Sequence, residues 1–385
     1  MPEFKGSLSS KLPSIGTTIF TVMSKMAAEH NAINLSQGFP DFECPAKLIE
    51  LVHKAMKAGN NQYAPMPGIL KLREMISEKT ESLYGTSYNP ETEITVTAGA
   101  TQAIYTAIAA VIRDGDEVVI FEPAYDCYAP AIELNGGKPV YVSLKAPTYA
   151  VDWNAVKKVI NHRTRMIIIN TPHNPTGAMM SADDLKQLEK LTKNSDIIIL
   201  SDEVYEHITF DGSKHESVAR YPDLASRSFI VSSFGKTFHT TGWKLGYCIA
   251  PKELMNEFRK VHQFLVFSCN TPMQIACAEF LSDKSHYLEL TQFYQEKRDF
   301  FARQISSSRF KFTPASGTYF QLLQYNGISE EKDTDYAVRL IKEAGIASIP
   351  ISVFYHKPVY DSMLRFCFAK KNETLEKAAE ILCKV

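Results

Sequence analysis

The chain has 385 residues, of which 45% are hydrophobic and 22% are charged, and its formal net charge is −1. This length predicts two domains, and the balanced charge gives no field that would steer the whole protein onto nucleic acid or an anionic membrane. We therefore expect small molecules, or a second copy of the chain, as partners.

Cysteine usage and the N-terminal sequence favour a cytoplasmic protein. The seven cysteines are scattered, and no pair has Cys-x-x-Cys spacing, so neither a disulfide framework nor a zinc site is predicted. The sequence opens with no apolar signal core and contains no run of membrane-spanning length. We expect no metal, nucleic-acid or membrane partner.

The middle of the chain alternates short apolar runs with helical patterns. Near-continuous Val and Ile content predicts strands that are covered on both faces. The predicted strands are, in chain order, 93–97, 117–121, 138–143, 166–170, 196–201, 229–233 and 245–250. Helical stretches separate several of them, such as 181–193, where Ser181 is a good N-cap residue. This alternation predicts an α/β domain with a mostly parallel sheet and crossover helices.

From about residue 283 the pattern changes to long polar helices and short strands. The expected elements are helices 286–306, 333–344 and 372–384 and strands 319–323 and 364–368. We interpret this part as a smaller α+β domain. Residues 1–45 lack the sheet pattern and are expected to pack with it. The predicted division is therefore a large domain of residues 46–282 and a small domain made of 1–45 together with 283–385.

The residues after each predicted strand are the candidates for a ligand site, because open parallel sheets bind ligands beyond the carboxyl ends of their strands. Gly99, Ala100 and Thr101 follow the first strand and precede an apolar helix expected from Ala103. Small residues there let backbone N–H groups approach an anion. A plain tight turn is the simpler explanation of this segment taken alone.

Polar residues follow two further strands. Asn174 lies between two prolines in residues 171–177, which are expected to hold it rigidly, although an Asx turn explains it as well. Asp202 follows the strand that ends near Leu200, where an aspartate suits a protonated ring nitrogen. Tyr205 is placed to donate to a ring oxygen. An N-capping role is the alternative for Asp202.

Lys236 follows another predicted strand, within Ser-Phe-Gly-Lys-Thr-Phe (233–238). A Walker A loop needs a glycine five residues before Gly235, and that position is Ile230, so this phosphate-binding motif is excluded. A desolvated lysine amine can form a Schiff base with an aldehyde cofactor. Lys244 would supply a point charge for a phosphate and would lower the pKa of the Lys236 amine by like-charge repulsion. A solvated surface position is the alternative for both lysines.

Taken together, the order and spacing of five segments resemble the class I aminotransferases, which belong to fold type I of the enzymes that use pyridoxal 5'-phosphate (PLP). The segments are Asn-Pro-Thr-Gly (174–177), Ser-Asp-Glu-Val-Tyr (201–205), Ser-Phe-Gly-Lys-Thr-Phe (233–238), Thr-Gly-Trp-Lys-Leu-Gly (241–246) and Arg-Phe-Cys-Phe (365–368). The resemblance covers nearly the whole chain. It implies a mostly parallel seven-stranded sheet in the large domain, with a smaller α+β domain.

Three further segments resemble the branch that contains kynurenine aminotransferase, glutamine transaminase K and the bacterial methionine aminotransferases, with the bacterial enzymes nearest. They are Leu-Ser-Gln-Gly-Phe-Pro-Asp-Phe (35–42), Asn-Gln-Tyr-Ala-Pro (61–65) and Glu-Pro-Ala-Tyr-Asp-Cys-Tyr (122–128).

The resemblance implies a role for each candidate residue. Lys236 carries PLP as a Schiff base and moves a proton, Asp202 pairs with the protonated ring nitrogen, and Tyr205 binds the phenolic oxygen. The implied cofactor-binding residues are Gly99, Ala100, Thr101, Tyr125, Asn174, Asp202, Tyr205, Ser233, Lys236, Lys244 and, from the partner subunit of a homodimer with shared active sites, Tyr63. The implied substrate-binding residues are Gly38, Asn174, Arg365 and Phe267.

The absence of a second cation in one segment indicates which substrates the enzyme favours. Relatives that are specific for dicarboxylates need a second cation, whereas the candidate segment, 261–283, contains neither arginine nor lysine and offers Phe264 and Phe267. The aromatic residues Phe20, Phe39, Tyr125 and Phe354 also favour an apolar pocket, although about half of these aromatics are expected to belong to the core.

We therefore expect transfer of the amino group of a neutral apolar, thioether or aromatic L-amino acid to a 2-oxo acid by a ping-pong mechanism. Methionine, phenylalanine, tyrosine, glutamine and kynurenine are the expected donors. The alternatives are a PLP-dependent β-lyase that acts on cysteine conjugates, an aminocyclopropane-carboxylate synthase, and a non-catalytic PLP-binding regulatory module.

Overall fold

The computed structural model describes residues 2–385. The strands are β1 (Ile33–Asn34), β2 (Ile94–Thr97), β3 (Glu117–Glu122), β4 (Lys138–Ser143), β5 (Thr164–Asn170), β6 (Ile198–Asp202), β7 (Ser228–Ser233), β8 (Gly246–Ile249), β9 (Phe320–Gln324), β10 (Ile346–Ala347), β11 (Ile349–Pro350) and β12 (Met363–Cys367).

The α-helices are α1 (Ile19–Glu29), α2 (Ala46–Lys57), α3 (Leu70–Tyr84), α4 (Ala100–Val111), α5 (Tyr128–Leu134), α6 (Trp153–Val159), α7 (Ala182–Thr192), α8 (Pro222–Ala225), α9 (Phe234–Thr237), α10 (Lys252–Leu265), α11 (Thr271–Leu281), α12 (Ser285–Leu288), α13 (Leu290–Gln304), α14 (Asp333–Arg339) and α15 (Asn372–Leu382). Across residues 2–385, none of the helices combines the length and the apolarity that a membrane crossing requires.

Seven strands form the central sheet, in the order β2-β8-β7-β6-β5-β3-β4. Only β8 runs antiparallel to its two neighbours, and the other pairs are parallel. The predicted mostly parallel α/β sheet is confirmed, and each predicted strand is found within about two residues of its expected limits.

Both faces of the sheet are buried, because successive side chains of its strands enter two different cores. Ile167 and Ile199 belong to the larger core, which continues into the C-terminal part of the chain. Ile168 and Leu200 belong to a second core, to which α4 contributes Ile104. This double coverage explains the near-continuous Val and Ile content of the strands.

The C-terminal part of the chain carries the antiparallel sheet β11-β12-β9. Strand β1 pairs in parallel with β10, so the N-terminal segment is joined to this part.

Three helices differ from their predicted extents. The predicted helix 286–306 is divided into α12 and α13 around Glu289. Helix α14 passes into a π-helical turn that ends at Gly345, which has a φ of 76°. Helix α4 begins at Ala100 rather than Ala103 because Gly99, at a φ of 80°, reverses the chain immediately before it.

The carboxyl ends of β5, β6 and β7 meet at one edge of the sheet. Asn170, the last residue of β5, is in register with Asp202, the last residue of β6. Ser233, which ends β7, is in register with Gly246 at the start of β8. The loops that follow these strands therefore converge on one region.

Candidate active site

A cavity of about 330 Å³ lies at this edge of the sheet. Twelve of the predicted site residues line it, namely Gly38, Gly99, Ala100, Thr101, Tyr125, Asn174, Asp202, Tyr205, Ser233, Lys236, Lys244 and Arg365. The structure thus brings together residues that are as much as 327 positions apart in the sequence.

One end of the cavity is built from the N-terminus of α4. The first backbone N–H groups of a helix have no intrahelical acceptors, and together with the helix dipole they favour an anion. A Cβ at Gly246 would lie 2.7 Å from the carbonyl oxygen of Ser232 and 3.1 Å from the backbone nitrogen of Ala100. Glycine at this position therefore lets β8 pass close to the helix start.

Lys244 supplies a cation at the same end. It adopts a left-handed backbone conformation with a φ of 53°, which is uncommon for a residue other than glycine. Its Cε atom would be 3.5 Å from a Cβ built on Gly99, so its side chain lies over the turn that precedes α4. A helix N-terminus, a lysine and the nearby Ser233 form a donor set that suits a phosphate.

Asp202 lies at the end of β6 and is 3% exposed. The Tyr128 hydroxyl donates to its Oδ2 at 2.5 Å, and the backbone N–H of Val204 donates to Oδ1 at 3.3 Å. Burial raises the pKa of Asp202 to about 6, whereas the hydrogen bond from Tyr128 acts to lower it. A cation beside this carboxylate would be strongly favoured because it would offset the cost of burial.

Asn170 fixes the loop that carries Asn174. Its side-chain amide donates to the carbonyl oxygen of Asp202 at 2.9 Å, and its Oδ1 accepts from the backbone N–H of Asn174 at 2.8 Å. The His173 ring contacts the Thr176 hydroxyl at 2.7 Å within the same loop. These bonds fix the backbone of the loop at Asn174, in addition to the two prolines that flank it.

Arg365, on β12, is 1% exposed and makes two hydrogen bonds through its guanidinium, which has five N–H donors. Its Nη1 donates to Asn174 Oδ1 at 2.7 Å, and its Nη2 donates to the Ser36 carbonyl at 3.0 Å. Within residues 2–385, its Nε has no acceptor. Burial lowers the pKa of Arg365 to about 10, which still leaves the guanidinium charged at neutral pH. The Arg365 guanidinium lines the cavity and has more N–H groups than these two bonds use, so it is suited to bind a carboxylate.

Lys236 lies on the short helix α9, and its side chain is half-buried. Its Nζ donates to the Gly38 carbonyl at 2.9 Å and to the Tyr319 hydroxyl at 2.7 Å. Burial lowers the pKa of Lys236 to about 8, and the neighbouring charges of Arg365 and Lys244 act in the same direction. The neutral, nucleophilic fraction of the amine at pH 7 is therefore only about a tenth, but it is far larger than that of an ordinary lysine.

Aromatic rings form the remaining walls. Phe20, Phe39 and Phe320 line the cavity. The Arg365 guanidinium lies 3.9 Å from the centre of the Phe320 ring and 5.3 Å from that of Phe20. Phe354 packs behind Phe20, with ring centres 5.9 Å apart. The part of the cavity next to Arg365 is therefore walled largely by aromatic rings, with Asn174 as a polar neighbour.

Two predicted site residues lie outside the cavity of the single chain. Tyr63 is 81% exposed and Phe267 is 45% exposed, and their rings meet edge to face with centres 5.1 Å apart. Phe264, on the same stretch as Phe267, is 91% exposed. These aromatic residues form a surface patch instead of a wall of the cavity.

Sequence reasoning missed three residues that support the site. Tyr128 holds Asp202, Asn170 holds Asn174, and Tyr319 contacts Lys236. Tyr128 ends the segment 122–128 and Asn170 ends the predicted strand 166–170, so their positions could have been noted. Tyr319 carried no such signal, because an aromatic residue beside a strand is usually part of the core.

The charges of the cavity match a doubly anionic cofactor and a carboxylate substrate. Within residues 2–385, its lining contains the cations Lys236, Lys244 and Arg365 and one carboxylate, Asp202. Lys244 lies at the end of the cavity that suits a phosphate, Lys236 supplies the amine, and Arg365 lies beside the aromatic rings. The arrangement can hold an anion, present a neutral amine, and orient a carboxylate beside aromatic rings.

Comparison with known proteins agrees with this geometry. The family model for aminotransferase class I and II matches residues 30–382. The methionine aminotransferase of Escherichia coli strain K12 is 49% identical over 374 residues, which cover 97% of each chain. Kynurenine–oxoglutarate transaminase 1 of Homo sapiens is 33% identical over 395 residues, which cover 94% of each chain.

Among solved structures, YbdL from Escherichia coli, for which a methionine aminotransferase function was identified, superimposes with a TM-score of 0.96 at 48% identity. The superposition covers 98% of the present chain and 100% of the YbdL chain.

Proposed function

Because this chain belongs to the class I and II aminotransferases, enzymes of the PLP-dependent fold type I, we propose that it binds PLP through Lys236 and transfers the amino group of neutral apolar amino acids. The observation that carries the proposal is the pairing of a half-buried amine, whose pKa is lowered to about 8, with a buried arginine that lines the same cavity and has N–H groups beyond those in its two hydrogen bonds. The two groups share one cavity of suitable charge.

The residues present fit the cofactor. The N-terminus of α4, with Gly99, Ala100 and Thr101, would hold the phosphate together with Ser233 and Lys244. The buried Asp202 would face the ring nitrogen, and Asn174 and Tyr205 would face the phenolic oxygen. Tyr125 would stack on the ring. When bound, PLP supplies an aldehyde that condenses with amines and a protonated ring that withdraws electrons from the bonds at the substrate Cα.

The chain's own groups then account for proton transfer and orientation. Asp202 is buried and accepts from Tyr128, so it can remain ionised beside a ring cation and keep that proton in place. Lys236, once its amine is free and neutral, would move a proton away from the substrate Cα. Arg365, with help from the Gly38 backbone, would hold the substrate carboxylate and fix which bond at Cα faces the amine.

The proposed donors are methionine, phenylalanine, tyrosine, glutamine and kynurenine. Within residues 2–385, each cation that lines the cavity already has a role in this scheme, so none is left to neutralise a distal carboxylate. Phe20, Phe39 and Phe320 surround the place where the substrate side chain would extend. The methionine aminotransferase of Escherichia coli, at 49% identity, supports a thioether substrate.

We also propose a homodimer with shared active sites. The exposed patch of Tyr63, Phe264 and Phe267 would be covered by a second copy, from which Tyr63 of the partner subunit would reach the phosphate. Phe267 would contribute to the substrate pocket in the same way. We retain the proposed division into a large domain, 46–282, and a small domain, 1–45 with 283–385.

A panel assay tests the substrate proposal. The PLP-loaded enzyme is incubated with methionine, phenylalanine, glutamine and aspartate, each with several 2-oxo acids, and the products and the visible absorption of the cofactor are followed. Methionine and phenylalanine are expected to be faster donors than aspartate, with one oxo acid formed for each amino acid made. Aspartate as the fastest donor would contradict the proposal. Ammonia and pyruvate from cysteine conjugates at a higher rate would favour a β-lyase.

A further inference from the structure

The Lys236 amine lies in a rest position formed by two oxygen atoms. Its Nζ donates to the Tyr319 hydroxyl at 2.7 Å and to the Gly38 carbonyl at 2.9 Å, and the Tyr319 hydroxyl donates to the same carbonyl. The amine, the hydroxyl and the carbonyl therefore form a closed triangle of hydrogen bonds. Both acceptors stand on segments distant in sequence from α9, so the triangle is a tertiary arrangement.

Tyr319 is held firmly enough to define that position. It is fully buried, and its ring meets the Tyr205 ring edge to face with centres 5.2 Å apart. Its carbonyl accepts from the Phe368 N–H at 2.9 Å. The preceding residue, Thr318, has a φ of 64°, an outlier for a β-branched side chain. The backbone is therefore strained at the residue immediately before Tyr319.

The hydroxyl is the distinguishing feature of Tyr319 in its aromatic cluster. Tyr294 packs against it with ring centres 5.7 Å apart, and its own hydroxyl is buried without a partner in the described structure. Both tyrosines fill space, but only Tyr319 presents its oxygen to Lys236. The same cluster therefore contains a matched control for the role of that oxygen.

We propose that Tyr319 is a positioning residue for Lys236, whose amine returns to the Tyr319 hydroxyl and the Gly38 carbonyl whenever it is not bonded to the cofactor. The proposal rests on the proposed function, in which Lys236 alternates between a covalent and a free state. In the free state the amine must stay close to the substrate, although a long lysine side chain can adopt many rotamers. Two fixed acceptors accomplish this, and one of them belongs to the segment implied in substrate binding.

The two hydrogen bonds of the Lys236 amine stabilise its charged form more than its neutral form. An oxygen that accepts a hydrogen bond from an ammonium group stabilises the charged form. Burial lowers the pKa of Lys236 to about 8, and the two acceptors oppose that effect. Removal of the hydroxyl alone is therefore expected to lower the pKa further, by about 1 pH unit.

The test compares Tyr319→Phe with Tyr294→Phe in enzyme loaded with pyridoxamine 5'-phosphate, which has no aldehyde and leaves Lys236 free. Brief labelling with acetic anhydride at a series of pH values, followed by peptide mass spectrometry, gives the titration midpoint of Lys236. Tyr319→Phe should lower the midpoint by about 1 pH unit and lower kcat by about tenfold, with KM changed less than about twofold. Tyr294→Phe should leave all three unchanged.

A midpoint and a kcat that stay at the wild-type values in Tyr319→Phe would overturn the proposal, as would equal shifts in both variants. A crystal structure of the wild-type enzyme with pyridoxamine 5'-phosphate gives a test independent of any variant, because Nζ must lie within hydrogen-bond distance of the Tyr319 hydroxyl. Nζ at another place would also overturn it. Lys236→Ala, measured alongside, isolates the proposed function, which fails if that variant stays active.

Discussion

Asn174 accepts a hydrogen bond from Arg365 across 2.7 Å, which joins the loop after β5 to strand β12. In the proposed scheme Asn174 faces the cofactor and Arg365 faces the substrate carboxylate. The contact therefore links the two binding functions through one bond, and a change in either residue is transmitted to the other.

Arg365→Lys is expected to lower kcat/KM for methionine by about 100-fold, because an ammonium group cannot reproduce the planar fork that reaches Asn174, Ser36 and a carboxylate at once. Steady-state kinetics measure the effect. Arg339→Lys, which alters an arginine paired with Glu331 outside the cavity, is the control and should leave kcat/KM unchanged. An Arg365→Lys enzyme within about twofold of the wild type would count against the carboxylate role.

Tyr128→Phe is expected to weaken PLP binding by about tenfold, because the buried Asp202 carboxylate loses the donor that helps to keep it ionised. Spectroscopic titration of the cofactor-free protein with PLP measures the affinity. Tyr149→Phe is the matched control, since the Tyr149 hydroxyl is buried without a partner in the described chain. Equal PLP affinity in the wild type and Tyr128→Phe would show that this bond has no role in holding the cofactor.

The rate of the first half-reaction should rise with pH and level off above about 8, since burial lowers the pKa of Lys236 to about 8 and only the neutral amine accepts a proton. An ordinary lysine has a pKa of about 10.4, so the active form of Lys236 is populated at a lower pH than is usual. Single-turnover kinetics with methionine give the profile. A rate that continues to rise toward pH 10 would contradict the lowered pKa.

Lys79→Met is expected to lower the free energy of unfolding by about 3–5 kcal/mol, because it leaves Glu206 buried without its cation. Lys79 Nζ lies 2.7 Å from Glu206 Oε1, and both side chains are almost fully buried. Chemical denaturation measures the loss. Lys54→Met, which removes an exposed contact with Glu279 at 3.4 Å, should cost less than about 1 kcal/mol.

The pH dependence of that loss has a definite sign. Burial alone would raise the pKa of Glu206, but Lys79 holds it well below its ordinary value. The stabilisation is therefore present above a pH of about 4, where an unfolded glutamate is ionised, and is lost progressively as the pH falls further. The difference between the wild type and Lys79→Met should shrink on acidification, and a constant difference would contradict the ion pair as its origin.

Much of the fold was predictable because its strands are buried on both faces. A strand such as β5 has no polar face, so its apolar run stands out in the sequence, and the residues after it were known to be at the ligand edge. This reasoning found Asn174, Asp202 and Lys236 from their positions alone. The break between α12 and α13 was not predictable, because the helical pattern continues through Glu289.

The supporting contacts were not predictable because they depend on tertiary structure. Tyr128 and Asp202 are 74 residues apart, and Tyr319 and Lys236 are 83 residues apart. Nothing in the local sequence distinguishes Tyr319, whose hydroxyl meets the amine, from Tyr294, whose hydroxyl meets no partner. Similarly, the segment that contains Tyr63 does not reveal that its side chain is exposed, because the exposure depends on the folded structure.

Chemical reduction of the enzyme identifies directly the lysine that carries the cofactor. The PLP-loaded enzyme is reduced with borohydride, digested and mapped by mass spectrometry, with the Lys236→Ala variant treated in parallel. A phosphopyridoxyl group is expected on Lys236 in the wild type. Lys236→Ala should show neither that adduct nor transamination at more than a trace of the wild-type rate. An adduct on Lys244 or any other lysine, or near-normal transamination by Lys236→Ala, would contradict the role of Lys236.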